Sequence, residues 1–410
     1  MRRRSVPRAS IPLVLVGMLG ACTTEPVAPR STGSRLAVAD VWRTRSCATA
    51  MTDLGTLPGG TSSRAFGING QGQIVGFSNT PSAPNGHAVL WTMSNDGYAA
   101  TDLGTLPGGT FSRAVGINSR GQIVGFSNGA SAPIVHAVLW TRSGAGYRIT
   151  DLGTLPAGAF SYSETFGING TGQIAGLSNG VSAPSGHATL WTTGRSGRTP
   201  HDLGSLPGGT FSLARSINGT GGIVGFSDGG SAPLPGGHAV LWFPSWTKSG
   251  AGYTAMDLGT LPGGTQSWAL SINSVWQIVG YSNGASASSN HAVLWSLRGG
   301  GYSMTDLGTL PGGSSSQAIA INDQGDIAGT SYGASAASGH AVLWTMSGGG
   351  YTLQDLGTLT GGTQSGAVGI NGQGAVVGFS DAPAAPKGHA VLWTTCGANE
   401  QYGNDWGDGQ

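Results

Sequence analysis

DLGTLPGGTFSRAVGINSRGQIVGFSNGASAPIVHAVLW, residues 102–140, is one of seven near-copies that fill this chain. The leading Asp falls at Asp53, Asp102, Asp151, Asp202, Asp257, Asp306 and Asp355. The closing His-Ala pair begins at His87, His136, His187, His238, His291, His340 and His389. Successive leading Asp residues stand 49, 49, 51, 55, 49 and 49 positions apart. A repeat of that length is one supersecondary unit that cannot bury its apolar faces alone, so the copies must pack on one another.

Within the quoted copy the apolar residues come in short runs bounded by turn residues. Ser112–Asn118 is the first run, Gln122–Ser127 the second, His136–Trp140 the third and Tyr147–Leu152 the fourth. A Gly/Ala/Ser/Pro loop separates the second from the third, and Ser143–Gly146 reads as a hairpin turn. Short β-branched runs with close-set turns are the all-β pattern. No helical apolar period is sustained, and the glycine density opposes helix throughout. Both faces of the runs are apolar, as expected when four-stranded blades stack around an axis. The expected fold is therefore a seven-bladed β-propeller of four-stranded antiparallel blades, with the small-residue first run innermost; an open solenoid is the competing architecture.

The ends of the array favour closure. Ala48–Leu54 matches only a fourth strand, and His389–Trp393 only a third, so the N-terminal strand is expected to complete the last blade. Cys47 and Cys396 are equivalent to Ala145 and Ser143, which face each other across the outer hairpin of the second copy. A Cys47–Cys396 disulfide is expected where that hairpin is cut.

The chain has 410 residues, 75 of them Gly, with 9% charged residues and a net charge of +1. Recurrence of the glycines at fixed places between apolar runs marks them as turns and close strand contacts, not as a disordered composition. The absence of a basic block excludes nucleic acid as an expected partner, since phosphate binding needs clustered positive charge.

Residues 1–22 carry Arg2, Arg3 and Arg4, then an apolar run from Ile11 to Gly20, then Leu19-Gly20-Ala21-Cys22. The run is too short to span a bilayer and has the order of an export signal. Its end resembles a bacterial lipobox, which implies acylation of Cys22 and a membrane attachment through lipid. Thr23 after the cysteine favours outer-membrane or surface placement. Residues 23–46 read as a flexible tether, 47–396 as the propeller and 397–410 as a polar tail.

The motifs D-L-G-T-L-P-G-G, G-I-N-x-x-G-Q-I-V-G and H-A-V-L-W resemble the HAF repeat of bacterial extracellular proteins over residues 53–394. Val stands where that family's name has Phe, as at Val89 and Val138, and Thr189 departs further. The resemblance implies an extracytoplasmic address and transfers no active site.

The seven His and seven Asp residues named above read as a structural network, because every unit of a repeat needs the same buried hydrogen bonds. No metal or other cofactor is expected. No nucleophile elbow, His-Glu-x-x-His helix or phosphate loop is read in the chain. Acids are scarce: Glu164 is the sole Glu in the repeats, and Asp323 and Asp326 sit in a turn. Recognition is better sought where the copies differ. Tyr162 and Glu164 lie in an insertion in the third copy, Trp246 in one in the fourth, and Trp268 and Trp276 replace small or polar residues in the fifth. Exposed aromatics can stack on sugar rings or anchor a protein. The expected function is a monomeric, non-catalytic binding module or scaffold for a glycan or envelope protein. The alternatives are an enzyme acting on a polysaccharide, with Glu164 or the Asp323/Asp326 pair as its acids, and a purely structural surface protein.

Overall fold

A computed structural model describes residues 50–130, 132–156, 162–194, 197–230, 236–247, 250–284 and 289–394, apart from the side chains of 132–133, 246–247 and 250–251. Cys22, Cys47 and Cys396, and with them the expected lipid site and disulfide, lie outside the described residues, as do the signal, tether and tail.

The described chain forms seven four-stranded antiparallel sheets, each an up-and-down meander. The innermost strands are Ser63–Ile68, Ser112–Ile117, Ser163–Ile168, Ser212–Ile217, Ser267–Ile272, Ser316–Ile321 and Ser365–Ile370, which define blades 1 to 7. Each innermost strand touches its two counterparts, and the contact between the first and last completes the ring. The array is a closed propeller. Ala50–Gly55 pairs antiparallel with Ala385–Thr394, Ala50 opposite Thr394, so the N-terminal strand is the outer strand of blade 7.

Alternation within H-A-V-L-W explains why both sheet faces are apolar. In blade 2, Val138, Trp140, Ala114 and Ile123 pack against Val75, Ala88 and Leu90 of blade 1, with Leu103 and Leu106 of the connecting loop between them. The same packing joins blade 1 to blade 7 through Trp91, Val89, Val377 and Leu392. The core is therefore divided among the gaps between blades, and the third-strand Trp of every blade is fully buried.

Serine ties the blades together in those gaps. Ser112 Oγ accepts the Ala88 N–H at 2.9 Å and donates to the Gly104 carbonyl at 2.8 Å. The closing joint repeats this bond, with Ala390 N–H on Ser63 Oγ.

The third strand differs from the sequence expectation in blades 2, 3, 6 and 7: it runs for 12 residues in the first three, as in Ala183–Gly194 and Ala336–Ser347, and starts early, at Ala385, in blade 7. The Gly/Ala/Ser/Pro stretch is not a loop there. Pairing resumes past an irregularity, with Gly180 opposite Ala183, so the second and third strands form a tight hairpin.

Candidate functional site

Every innermost strand carries the same irregularity. In blade 1 the register shifts between Ala65 and Gly67, which makes Phe66 a bulged residue. Val115, Phe166, Arg215, Leu270, Ile319 and Val368 hold that position in blades 2 to 7. A bulge re-aims its side chain, and here all seven bulged residues line one axial cavity of about 790 Å³. That size is appropriate to a ligand site.

The cavity is graded along the axis. Toward the turn end it is bordered by isoleucines, among them Ile68, Ile117, Ile168, Ile217, Ile321 and Ile370. Beyond them lies a ring of asparagines. Asn69 Nδ2 donates to the Asn118 carbonyl at 3.2 Å, and the relation passes from blade to blade until Asn371 Nδ2 donates to the Asn69 carbonyl. Toward the opposite end, the second position of four innermost strands brings Arg113, Glu164, Trp268 and Gln317 to the cavity, with Phe126 and Tyr281 from the neighbouring second strands.

This mouth is charged and aromatic, and the pattern continues beside it in Arg64, which lies over the Phe379 ring at 4.2 Å. Arg215 lies over the Phe166 ring at 4.6 Å, and Arg113 lies over Phe77 at 4.6 Å and Phe111 at 5.2 Å. Trp268 stacks on Phe226 of the preceding blade at 4.1 Å and is flanked by Tyr281 at 6.3 Å. Burial pushes the Glu164 carboxyl above its ordinary value, against the opposing pull of Tyr162, Arg215 and Arg113. Burial also raises the Tyr162 hydroxyl, helped by the Glu164 charge and hydrogen bond. Among the described residues, neither arginine makes an ion pair with Glu164 or a hydrogen bond to another group; their coupling to it is Coulombic. Arg113 Nε is buried without a partner.

The five residues singled out for recognition do not form one surface. Tyr162, Glu164 and Trp268 converge on the mouth. Trp276 stands in the turn at the other end of its strand, in place of a glycine, with a positive φ of 65°. Its ring fills the space beside Gly222, where a Cβ would meet it at 2.7 Å and where the other copies carry larger residues. The backbone at Trp246 pairs with Ala251 in the outer hairpin of blade 4, also away from the mouth. Arg113, Arg215 and Tyr281 were not singled out in the sequence, although comparison of the copies column by column isolates Arg215: six blades have an apolar residue there.

The repeated His and Asp residues meet in pairs. His87 Nδ1 lies 2.9 Å from Asp102, and His389 Nδ1 lies 2.9 Å from Asp53 across the closing joint. The other carboxylate oxygen takes the N–H of a following glycine, as Asp102 does with Gly104 at 2.8 Å. His201 stands apart from these pairs, 2.8 Å from the Thr192 hydroxyl. Among the described residues no group of three His, Cys, Asp or Glu side chains is placed to hold a metal ion. Asp323 accepts the Ser274 N–H and Asp326 accepts from Asn322 Nδ2, so both serve turns at the end opposite Glu164.

One catalytic pattern needs correction. Gly125-Phe126-Ser127-Asn128-Gly129 spells G-x-S-x-G and recurs in blades 3 to 6, contrary to the reading that no such motif is present. It does not build a nucleophile elbow, which requires a strand-to-helix turn that exposes the serine. Ser127 is fully buried within the second strand, and its Oγ accepts the Leu106 N–H at 2.9 Å.

The sequence matches no protein-family model and no curated protein. Solved structures similar in fold include one of two prolyl endopeptidases, at 12% identity and a TM-score of 0.52, with 82% of this chain and 47% of that chain covered. The β-propeller domain of the Trilobed protease from Pyrococcus furiosus is similar at 9% identity and a TM-score of 0.46, with 82% and 94% covered. A gluconolactonase from Xanthomonas campestris is similar at 10% identity and a TM-score of 0.40, with 85% and 89% covered. At these identities the likeness concerns the propeller fold alone.

Proposed function

We propose that this chain is a non-catalytic, lipid-anchored envelope protein of the HAF-repeat type, whose propeller binds a glycan at the charged mouth of its axial channel. The observation that carries the reading is where the copies diverge. Residues that serve the fold are repeated blade after blade, whereas Glu164, Arg215 and Trp268 are particular to their blades and line one cavity together with Arg113, whose position holds arginine elsewhere only in blade 1, as Arg64. Aromatic side chains beside hydrogen-bonding groups are the usual components of a sugar site. The lipobox-like Leu19–Cys22 supports the envelope address.

A polysaccharide-acting enzyme is the second reading, favoured by the raised Glu164 carboxyl, which suits a general acid. Among the described residues Glu164 is the single carboxyl lining the cavity, and the common glycosidase mechanisms use two. Binding is therefore preferred. Titration of the full chain with neutral and acidic oligosaccharides tests it. Saturable binding without product release is expected, and Trp268→Gln, which copies the blade 6 residue, is expected to weaken binding about tenfold. Turnover abolished by Glu164→Gln would instead establish the enzyme.

A further inference from the structure

Arg215 is the exception among the bulged residues. The equivalent side chains in the other blades are Phe66, Val115, Phe166, Leu270, Ile319 and Val368. An apolar residue therefore satisfies the fold there, and blade packing does not account for a guanidinium. A guanidinium carries five N–H donors in a fixed fork and no acceptor. Among the described residues that fork has no hydrogen-bond acceptor or ion pair; its partner is the face of Phe166. Arg113, from the neighbouring side of the cavity, is held by the Phe77 and Phe111 rings with its Nε unpartnered. Two cations held on aromatic faces with donors unused form a preorganised anion site. One carboxyl, Glu164, stands between them and does not neutralise both.

The shape of the anion follows from the donors and from what surrounds them. Arginine forks match planar carboxylates through paired N–H bonds. The site also has Glu164, which can hydrogen-bond hydroxyls, and the Trp268–Tyr281 aromatic wall, suited to an apolar ring face. An ammonium group would require an unopposed carboxylate, and both arginines already act on Glu164. Resting on the glycan-binding reading above, we infer that the channel selects a carboxylate-bearing sugar ring of the uronic-acid class, with Arg215 and Arg113 on the carboxylate and Glu164 on the ring hydroxyls.

Calorimetric titration of the full chain with trigalacturonate, its methyl ester, galactotriose and a neutral tripeptide with a free C-terminus tests this. Trigalacturonate should bind, and more weakly as salt is raised. The methyl ester and galactotriose should bind at least about tenfold less tightly, a typical effect of losing charge-assisted bonds. Arg215→Leu copies Leu270 of blade 5 and should lose a similar factor while retaining the wild-type Tm. Arg113→Gln, which copies Gln317 of blade 6, provides a second variant. Equal affinity for galactotriose and trigalacturonate would overturn the acid preference and leave glycan binding standing. Affinity unchanged in both arginine variants would overturn the assigned site. Binding of the tripeptide alone, or of none of the four, would overturn both readings.

Discussion

At the residue scale, the repeated Asp is a joint between two strands and a turn. In blade 2, Asp151 receives His136 Nδ1 at 2.8 Å and the Gly153 N–H at 2.8 Å. Burial alone would raise its carboxyl, but the His136 hydrogen bond, the Gly153 N–H and the His136 charge outweigh it and hold the carboxyl below its ordinary value. A depressed folded pKa contributes stability that is present above the unfolded value and lost as pH falls through the folded one. Asp151→Asn should therefore cost about 1 kcal/mol at pH 7, the size of an ordinary net hydrogen bond. The deficit should shrink below the ordinary carboxylate range near pH 4. Denaturant titrations at pH 7 and pH 3 measure both; an equal deficit at the two values would show that the charge is immaterial. The spacing of His and Asp was plain in the sequence. Which carboxylate met which imidazole was not, because Asp53 and His389 are joined only by closure.

At the element scale, the innermost bulge explains a glycine found in every second strand. A Cβ on Gly125 would fall on the Arg113 carbonyl oxygen of the adjoining strand, and Gly225 stands in the same relation to Leu213. The obstacle is backbone, so no side-chain rotation relieves it. Gly125→Ala should destabilise by roughly 2 kcal/mol or more, as expected of overpacking, whereas Gly97→Ala should cost less, since nothing lies within 4 Å of its added Cβ. Gly97 has a positive φ of 105°, so a modest backbone cost is expected there as well. Thermal melting of the two variants compares the effects, and equal losses would refute the steric account. The four runs and their order were legible as strands. Extension of the third strand in blades 2, 3, 6 and 7 was not, because proline and glycine read locally as loop while cross-strand pairing prevails over that preference.

At the scale of the whole molecule, closure joins chain ends that are more than 300 residues apart. The joint comprises the Ala50–Thr394 ladder, the Asn371–Asn69 bond and the blade 1–blade 7 core. Removal of residues 1–55 would leave blade 7 without its outer strand, the buried Leu54 or the Asp53 partner of His389. A fall in Tm of at least about 5 °C is expected by calorimetry, since each kcal/mol moves a domain of this size by a few degrees. An unchanged Tm would mean that the N-terminal strand does not hold the ring.

The sequence by itself determined the strands, the number of blades and the order of strands within a blade, because a periodic pattern of apolar runs and turns is a local property copied seven times. It also pointed to Tyr162, Glu164 and Trp268 as departures from the pattern. Tertiary structure decided which departures belong together. The axial cavity takes at least two side chains from each blade, so Arg113, Glu164, Arg215 and Trp268 come to line one space only when the blades are arranged around the axis. Trp276 has the same aromatic chemistry but stands at the opposite end, where it fills the space beside Gly222.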